Sequence, residues 1–230
     1  MVVQPSQPHS MTIEEWRELE QQSEIKHEYI DGYVYAMAGG SLAHGYISTR
    51  VIRHLEDGLG NRSCMVYNSD VAARLSSERY TYPDATVTCD QSDRPSKKLR
   101  EIKAPSIIVE VLSDTTEAYD RGEKFGYYRE CPTVQEYVLV NTKRQLVEVY
   151  HRTNAFAIHT SSSEWDGKCI SKEGWILHVY KPGDEVALTS IDVHFPLTVL
   201  YELTDVPEIV EVPKGGDHAT VDKSLSSGPV

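Results

Sequence analysis

The chain has 230 residues, 40% hydrophobic and 25% charged, with 23 Lys and Arg against 35 Asp and Glu for a net charge of −12. That hydrophobic share is too high for a chain disordered throughout, and no run approaches about 18 uninterrupted apolar residues, so no membrane helix is expected. The acid surplus argues against affinity built on a broad basic face along DNA, because nonspecific binding of nucleic acid is mostly phosphate neutralisation.

Residues 1–11 and 208–230 are rich in Pro, Gly, Ser and His and lack periodicity, so both ends are expected to be disordered around a single domain over 12–207. The first eleven residues carry neither a basic segment nor an apolar core, and a cytoplasmic protein is expected. Cys64, Cys89, Cys131 and Cys169 stand 25, 42 and 38 residues apart with no CxxC pair. That spacing suits neither a thiolate zinc cage nor a disulfide framework, and four buried, reduced thiols are expected. The nine histidines show no HxH or HExxH spacing, which speaks against a histidine-dominated metal site.

In chain order, Thr12-Ile13-Glu14-Glu15 is a capping box that opens a first helix. Residues 28–35 read as two short aromatic strands about Asp31-Gly32, a dipeptide that tolerates the positive φ angles of a tight hairpin turn. Residues 42–57 place Ile47, Val51, Ile52 and Leu55 on one helical stripe. Strands are expected at 64–75, 80–89 and 106–112, then a helix from 117 to 130 behind Ser113-Asp114-Thr115-Thr116. Residues 136–140 and 146–151 read as strands, and 156–200 as a β-rich tail. The order predicts an α/β fold with a mixed central sheet flanked by helices and extra strands on the C-terminal side.

Glu110 stands inside Ile107-Ile108-Val109-Glu110-Val111-Leu112, a run that reads as a strand buried on both faces. A carboxylate there costs several kcal/mol unless a buried cation or a metal pairs with it. Asp84 lies in Tyr82-Pro83-Asp84-Ala85-Thr86-Val87-Thr88, where it alternates with Thr86 and Thr88. If the strands 80–89 and 106–112 are neighbours, Asp84 and Glu110 meet, and with backbone carbonyls they make an all-oxygen site for Mg²⁺ or Mn²⁺. Taken alone, Asp84 reads equally well as a strand-end turn residue. Lys124, in Asp120-Arg121-Gly122-Glu123-Lys124, lies on the helix that follows the Glu110 strand. It can orient a water and offset charge on a phosphorus, or it simply neutralises Glu110 or pairs with Asp120, four residues earlier, on the helix surface.

These residues resemble the PD-(D/E)xK nuclease signature, with one departure: the position two residues after the glutamate is Leu112, so the lysine would have moved to Lys124. The wider pattern is more specific. Glu28-Tyr29-Ile30-Asp31-Gly32, His44 at a helix start, Tyr82-Pro83-Asp84, Val109-Glu110-Val111-Leu112-Ser113, Asp120-Arg121-Gly122-Glu123-Lys124 and Glu136-Tyr137-Val138-Leu139-Val140 resemble the Uma family of "putative restriction endonucleases" over about residues 12–203. The resemblance implies a restriction-endonuclease-like core, Asp84 and Glu110 as ligands of Mg²⁺ (or Mn²⁺) with the carbonyl of Val111 as a third, and Lys124 as the displaced catalytic lysine. It further implies Glu28 as an accessory acid and His44 nearby, with Tyr82 and Tyr128 either lining the cleft or packed in the core. The activity implied is metal-dependent hydrolysis of DNA phosphodiesters to a 3′-hydroxyl and a 5′-phosphate, in a homodimer by analogy.

Arg94, Lys97, Lys98, Arg100 and Lys103 crowd the loop between the two carboxylate strands, which reads either as a DNA-contacting patch centred on Lys97 and Lys98 or as a solvated loop. No Gly-rich phosphate loop, GxSxG elbow or dinucleotide fingerprint is present. The competing readings are a catalytically silent protein that keeps the nuclease fold for binding or assembly, and a hydrolase of another phosphoester.

Overall fold

The computed structural model describes residues 9–153 and 174–208. The ends expected to be disordered lie outside it at 1–8 and 209–230, as do Cys169 and the first part of the β-rich tail. His9–Ser10, in the segment expected to be disordered, is a short strand, β1, paired with β3 (Tyr33–Ala36).

Helix α1 (Ile13–Gln22) starts at the capping box: the Glu15 N–H donates to the Thr12 hydroxyl while the Thr12 N–H donates to the Glu15 carboxylate. The hairpin of β2 (His27–Ile30) and β3 turns at Asp31 and Gly32, with φ of 50° and 88°. Both values lie in the left-handed region that Asp-Gly supplies at low cost. Helix α2 (Leu42–Leu59) is capped by the Ser41 hydroxyl and buries Ile47, Val51, Leu55 and Leu59, spaced every fourth residue.

Two expected strands are each split in two. Residues 64–75 give β4 (Met65–Asn68) and β5 (Ala72–Arg74), separated by a turn in which the Asp70 N–H donates to the Asn68 side chain. Residues 80–89 give β6 (Arg79–Thr81) and β7 (Ala85–Thr88), interrupted at Pro83, which has no N–H for a ladder. Each split moves the chain between sheets. One six-stranded sheet runs β1-β3-β2-β6-β5-β8 with β8 at Glu101–Ile102. The other runs β12-β11-β10-β9-β7-β4, with β9 (Ile107–Val111), β10 (Glu136–Val140), β11 (Val147–Thr153) and β12 (Gly174–Tyr180). This second sheet is mixed: β9 and β10 are parallel, and β7 is antiparallel to β9. A small antiparallel pair, β13 (Glu185–Leu188) and β14 (Val193–Pro196), completes the fold.

Between β9 and β10 the chain is helical from 117 to 130: α3 (Glu117–Tyr119) passes through a π turn (Asp120–Lys124) into α4 (Phe125–Glu130). Alternation along β9 divides the core. Ile107, Val109 and Val111 pack toward α2, β13 and β14, whereas Ile108 and Leu112 pack with Tyr128, Tyr137 and Leu139. Truncating Ile107, Ile108, Leu112 or Leu139 to Ala costs about 2–5 kcal/mol.

The cysteines require a correction. Cys64 and Cys89 form a disulfide instead of standing as reduced thiols. The β4–β7 register sets Met65 opposite Thr88, so the next residues outward, Cys64 and Cys89, face each other with Cα atoms 3.9 Å apart. Cys131 is free and buried, as expected.

Candidate active site

The β7–β9 register pairs Ala85 with Val109. Extended by one residue, it sets Asp84 across from Glu110, just where Pro83 ends the β6 segment and the chain crosses between sheets. The Val111 N–H donates to Asp84 Oδ2 at 2.7 Å, and His44 Nε2, from the first turn of α2, lies 3.3 Å from the same oxygen. The bond to Asp84 raises the His44 pKa, against the opposing pull of burial.

Glu110 is 5% exposed, in line with the expectation of a carboxylate buried on both faces of its strand. Lys124 Nζ lies 2.9 Å from Glu110 Oε1, 3.0 Å from Glu28 Oε1 and 3.9 Å from Asp120 Oδ1. The Tyr128 hydroxyl donates to Glu110 Oε1 at 2.6 Å and also reaches the Thr81 hydroxyl at 3.3 Å. The Tyr82 N–H donates to Glu28 Oε1 at 3.2 Å. Burial, with Asp120, Asp84 and Glu28 nearby, pushes the Glu110 carboxyl up to about 8 although Lys124 pulls it back. Burial alone would lower the Lys124 pKa, but Glu110, Glu28 and Asp120 outweigh it and hold it well above the ordinary lysine value. The three acids thus favour the charged, donating form of Lys124.

Two of the alternatives for Lys124 are realised together: it neutralises Glu110 and stands within ion-pair reach of Asp120. Sequence reasoning set Asp120 on the helix surface, yet it is buried. The π turn carries both Asp120 and Lys124 inward, and the Tyr137 hydroxyl donates to the Asp120 carbonyl at 3.0 Å. The acid four residues before the lysine was the available signal; the extra residue in the turn leaves none.

Four carboxylates, from Glu28, Asp84, Glu110 and Asp120, thus face one ammonium and one imidazole. Glu110 Oε2 and Asp84 Oδ1 accept no hydrogen bond among the described residues, and the buried Thr86 hydroxyl has no partner there either. Among the described residues, no three His, Cys, Asp or Glu side chains form a metal cage by themselves. Surplus negative charge with free hard oxygens fits Mg²⁺, which keeps several waters and uses one or two carboxylates plus substrate oxygens.

Lys97 and Lys98 are not joined to this cluster by the strands. Their loop, 89–106, leaves β7 at Thr88 and enters β9 at Ile107, the ends remote from Asp84 and Glu110. Buried Asp93 fastens the loop by accepting from the Thr88 hydroxyl and from the Lys103 and Ala104 N–H groups. Arg94, Lys97, Lys98 and Arg100 are exposed and make no ion pair among the described residues.

Fold and site together define a chain of the nuclease-fold class. A solved structure of a putative nuclease belonging to DUF820 from Anabaena variabilis superposes with a TM-score of 0.60 at 15% identity, covering 84% of this chain and 98% of that one. The chain belongs to the Uma2 family, described as putative restriction endonuclease, which it matches over residues 13–181. Two relatives from Synechocystis sp. (strain ATCC 27184 / PCC 6803 / Kazusa) carry the likeness across most of their length. The uncharacterized protein slr1290 is 37% identical over 199 residues, 86% of this chain and 95% of the relative. The uncharacterized protein sll1609 is 32% identical over 143 residues, 62% of this chain and 81% of the relative.

Proposed function

We propose that the protein is a metal-dependent endonuclease that hydrolyses phosphodiester bonds of DNA. The observation that carries this reading is the pairing of Asp84 with Glu110 across adjacent strands, inside a four-acid cluster that Lys124 only partly neutralises. Asp84, Glu110 and the Val111 carbonyl are the groups that would hold Mg²⁺ or Mn²⁺. When bound, such an ion polarises a phosphate oxygen and lowers the pKa of water.

Lys124, kept protonated by Glu110, Glu28 and Asp120, donates hydrogen bonds that orient the attacking water and offsets charge developing on phosphorus. Glu28 is a positioning residue that acts through Lys124. His44 fixes the rotamer of Asp84. Attack on phosphorus opposite the 3′ oxygen breaks the P–O3′ bond and leaves a 5′-phosphate and a 3′-hydroxyl, the attacking water giving its proton to solvent and the leaving oxygen taking one from it. Lys97 and Lys98 contact phosphates away from the reacting centre.

Incubation of the full chain with plasmid and single-stranded DNA, under Mg²⁺ or Mn²⁺, tests the proposal. Cleavage that disappears in Asp84→Ala and Glu110→Ala supports it, and full activity in either variant overturns the site. The second reading, a catalytically silent member of the fold, is favoured by the direct Lys124–Glu110 contact, which occupies one of the two carboxylates. Mg²⁺ alone distinguishes the two: a competent site gives Mg²⁺-linked thermal stabilisation that is lost in Glu110→Ala.

A further inference from the structure

Leu42 and Leu203 are 95% and 96% exposed. Leu42 is the first residue of α2, and Leu203 holds a positive φ of 64°, a backbone state that disfavours any side chain but glycine. The turn carrying Leu203 is not loose. The Thr204 N–H and hydroxyl both donate to the Tyr201 carbonyl, and the buried Tyr201 hydroxyl is engaged by the main chain at Asn141 and Leu146. Arg50, from α2, clamps the same segment by donating to the Val199 carbonyl and pairing with Glu202.

Between this turn and the first two turns of α2 lies an open cleft of about 750 Å³, lined by Leu42, Tyr46, Thr49, Leu203 and Asp205 among others. Ala43 and Gly45 also line it, and the residue between them is His44, which reaches Asp84. The cleft and the candidate reacting centre therefore share one helical turn. Gly40 joins them on the other side, because a Cβ there would meet the His44 ring at 2.6 Å.

The lining chemistry selects an occupant. Among the described residues no cation borders the cleft, and its one charged residue, Asp205, is an exposed carboxylate, so a phosphate group is disfavoured. Apolar walls, one tyrosine, hydroxyls and an acceptor-only carboxylate suit an uncharged heteroaromatic ring bearing an amine. We propose that this cleft is a nucleobase subsite. A base displaced from the stack beside the phosphodiester at Asp84 and Glu110 is held by Leu42 and Leu203, with its exocyclic amine donating to Asp205. Apolar wedges that unstack a base step are an established way to open DNA. This inference rests on the endonuclease reading and adds to it a requirement for local unstacking of the substrate.

The test uses the full chain carrying Glu110→Gln with Mg²⁺ and end-labelled DNA in which 2-aminopurine is moved along the sequence. Anisotropy of the end label reports binding, and 2-aminopurine brightening reports unstacking. The expected result is brightening at one or two adjacent positions that falls about fivefold or more in Leu42→Ala/Leu203→Ala while binding persists. Asp205→Asn is expected to change which bases are accepted at that position. Binding without brightening at any position overturns the subsite and leaves the endonuclease reading standing, as does brightening that the double variant keeps. Absence of DNA binding overturns both. A wild-type dimer that becomes monomeric in the double variant, seen by light scattering, overturns the subsite by assigning the leucines to a second copy.

Discussion

The Lys124 ammonium meets the Glu110 carboxylate at 2.9 Å with both residues 5% exposed, so this contact is made almost out of reach of water. Glu28 and Asp120 crowd the same ammonium. Lys124→Met leaves three buried acids without their cation and is expected to cost about 3–5 kcal/mol in urea unfolding with a chelator present. Adding Glu110→Gln to Lys124→Met should recover part of that loss. A double variant as unstable as the single one would show that the pairing is not what Lys124 contributes.

Glu110→Gln alone has the opposite sign. It removes a carboxylate that burial and three neighbouring acids hold up to about 8, while Gln still offers an oxygen to the Tyr128 hydroxyl. With chelator present, its stability should match the wild type or exceed it by about 1–2 kcal/mol, the pattern of a site whose function is bought with stability. A large loss of stability would mean that the Glu110 charge holds the fold.

At the other end of the β9–β10 pair, Glu136 is 1% exposed and accepts from His151 Nδ1 at 2.7 Å and from the Ser190 hydroxyl at 2.7 Å and N–H at 3.2 Å. Burial alone would raise its pKa, but these donors outweigh burial and hold it below the ordinary carboxylate value of 4.5. With the folded pKa below the unfolded one, its stabilisation is complete above that value and is lost as pH falls through the folded pKa. Glu136→Gln should cost about 1–3 kcal/mol near pH 7 and flatten the acid limb of a Tm-against-pH curve.

The Cys64–Cys89 bridge closes a loop of 25 residues containing β4, β5, β6 and β7. Reduction is expected to remove about 2–4 kcal/mol. Cys64→Ser/Cys89→Ser should show the same Tm with and without dithiothreitol, equal to that of the reduced wild type.

Substituting both Lys97 and Lys98 with Ala should weaken DNA binding uniformly across sequences. It should make the plot of log K against log salt shallower by about 0.9 for each phosphate no longer neutralised. An unchanged slope would return the loop to plain solvent-exposed structure.

Local sequence carried most of the elements and several members of the candidate cluster. The capping box at Thr12, the Asp31-Gly32 turn and the α2 stripe are decided by neighbours within a few residues, and each forms as read. Glu110 was legible because an acid in an aliphatic run demands a partner. Two things were hidden because they depend on long-range pairing. Splitting the 80–89 run across two sheets follows from where β6 and β7 find their neighbours, although Pro83 marked the place. The Cys64–Cys89 bridge follows from a β4–β7 register that no single stretch encodes. The inward turn of Asp120 escaped for a third reason: a regular helical wheel has no place for a π turn.

That π turn separates the phasing of two stretches of one helix. Asp120 and Lys124 sit within it, and Tyr128 lies four residues beyond Lys124. Loss of a single residue there would restore ordinary winding and swing everything downstream by about 100° relative to what precedes it. The acid, the ammonium and the phenol could then no longer converge on one point. A one-codon deletion in this bend would thus dismantle the ensemble without touching any of its members, whereas point changes elsewhere on the helix leave its aim intact.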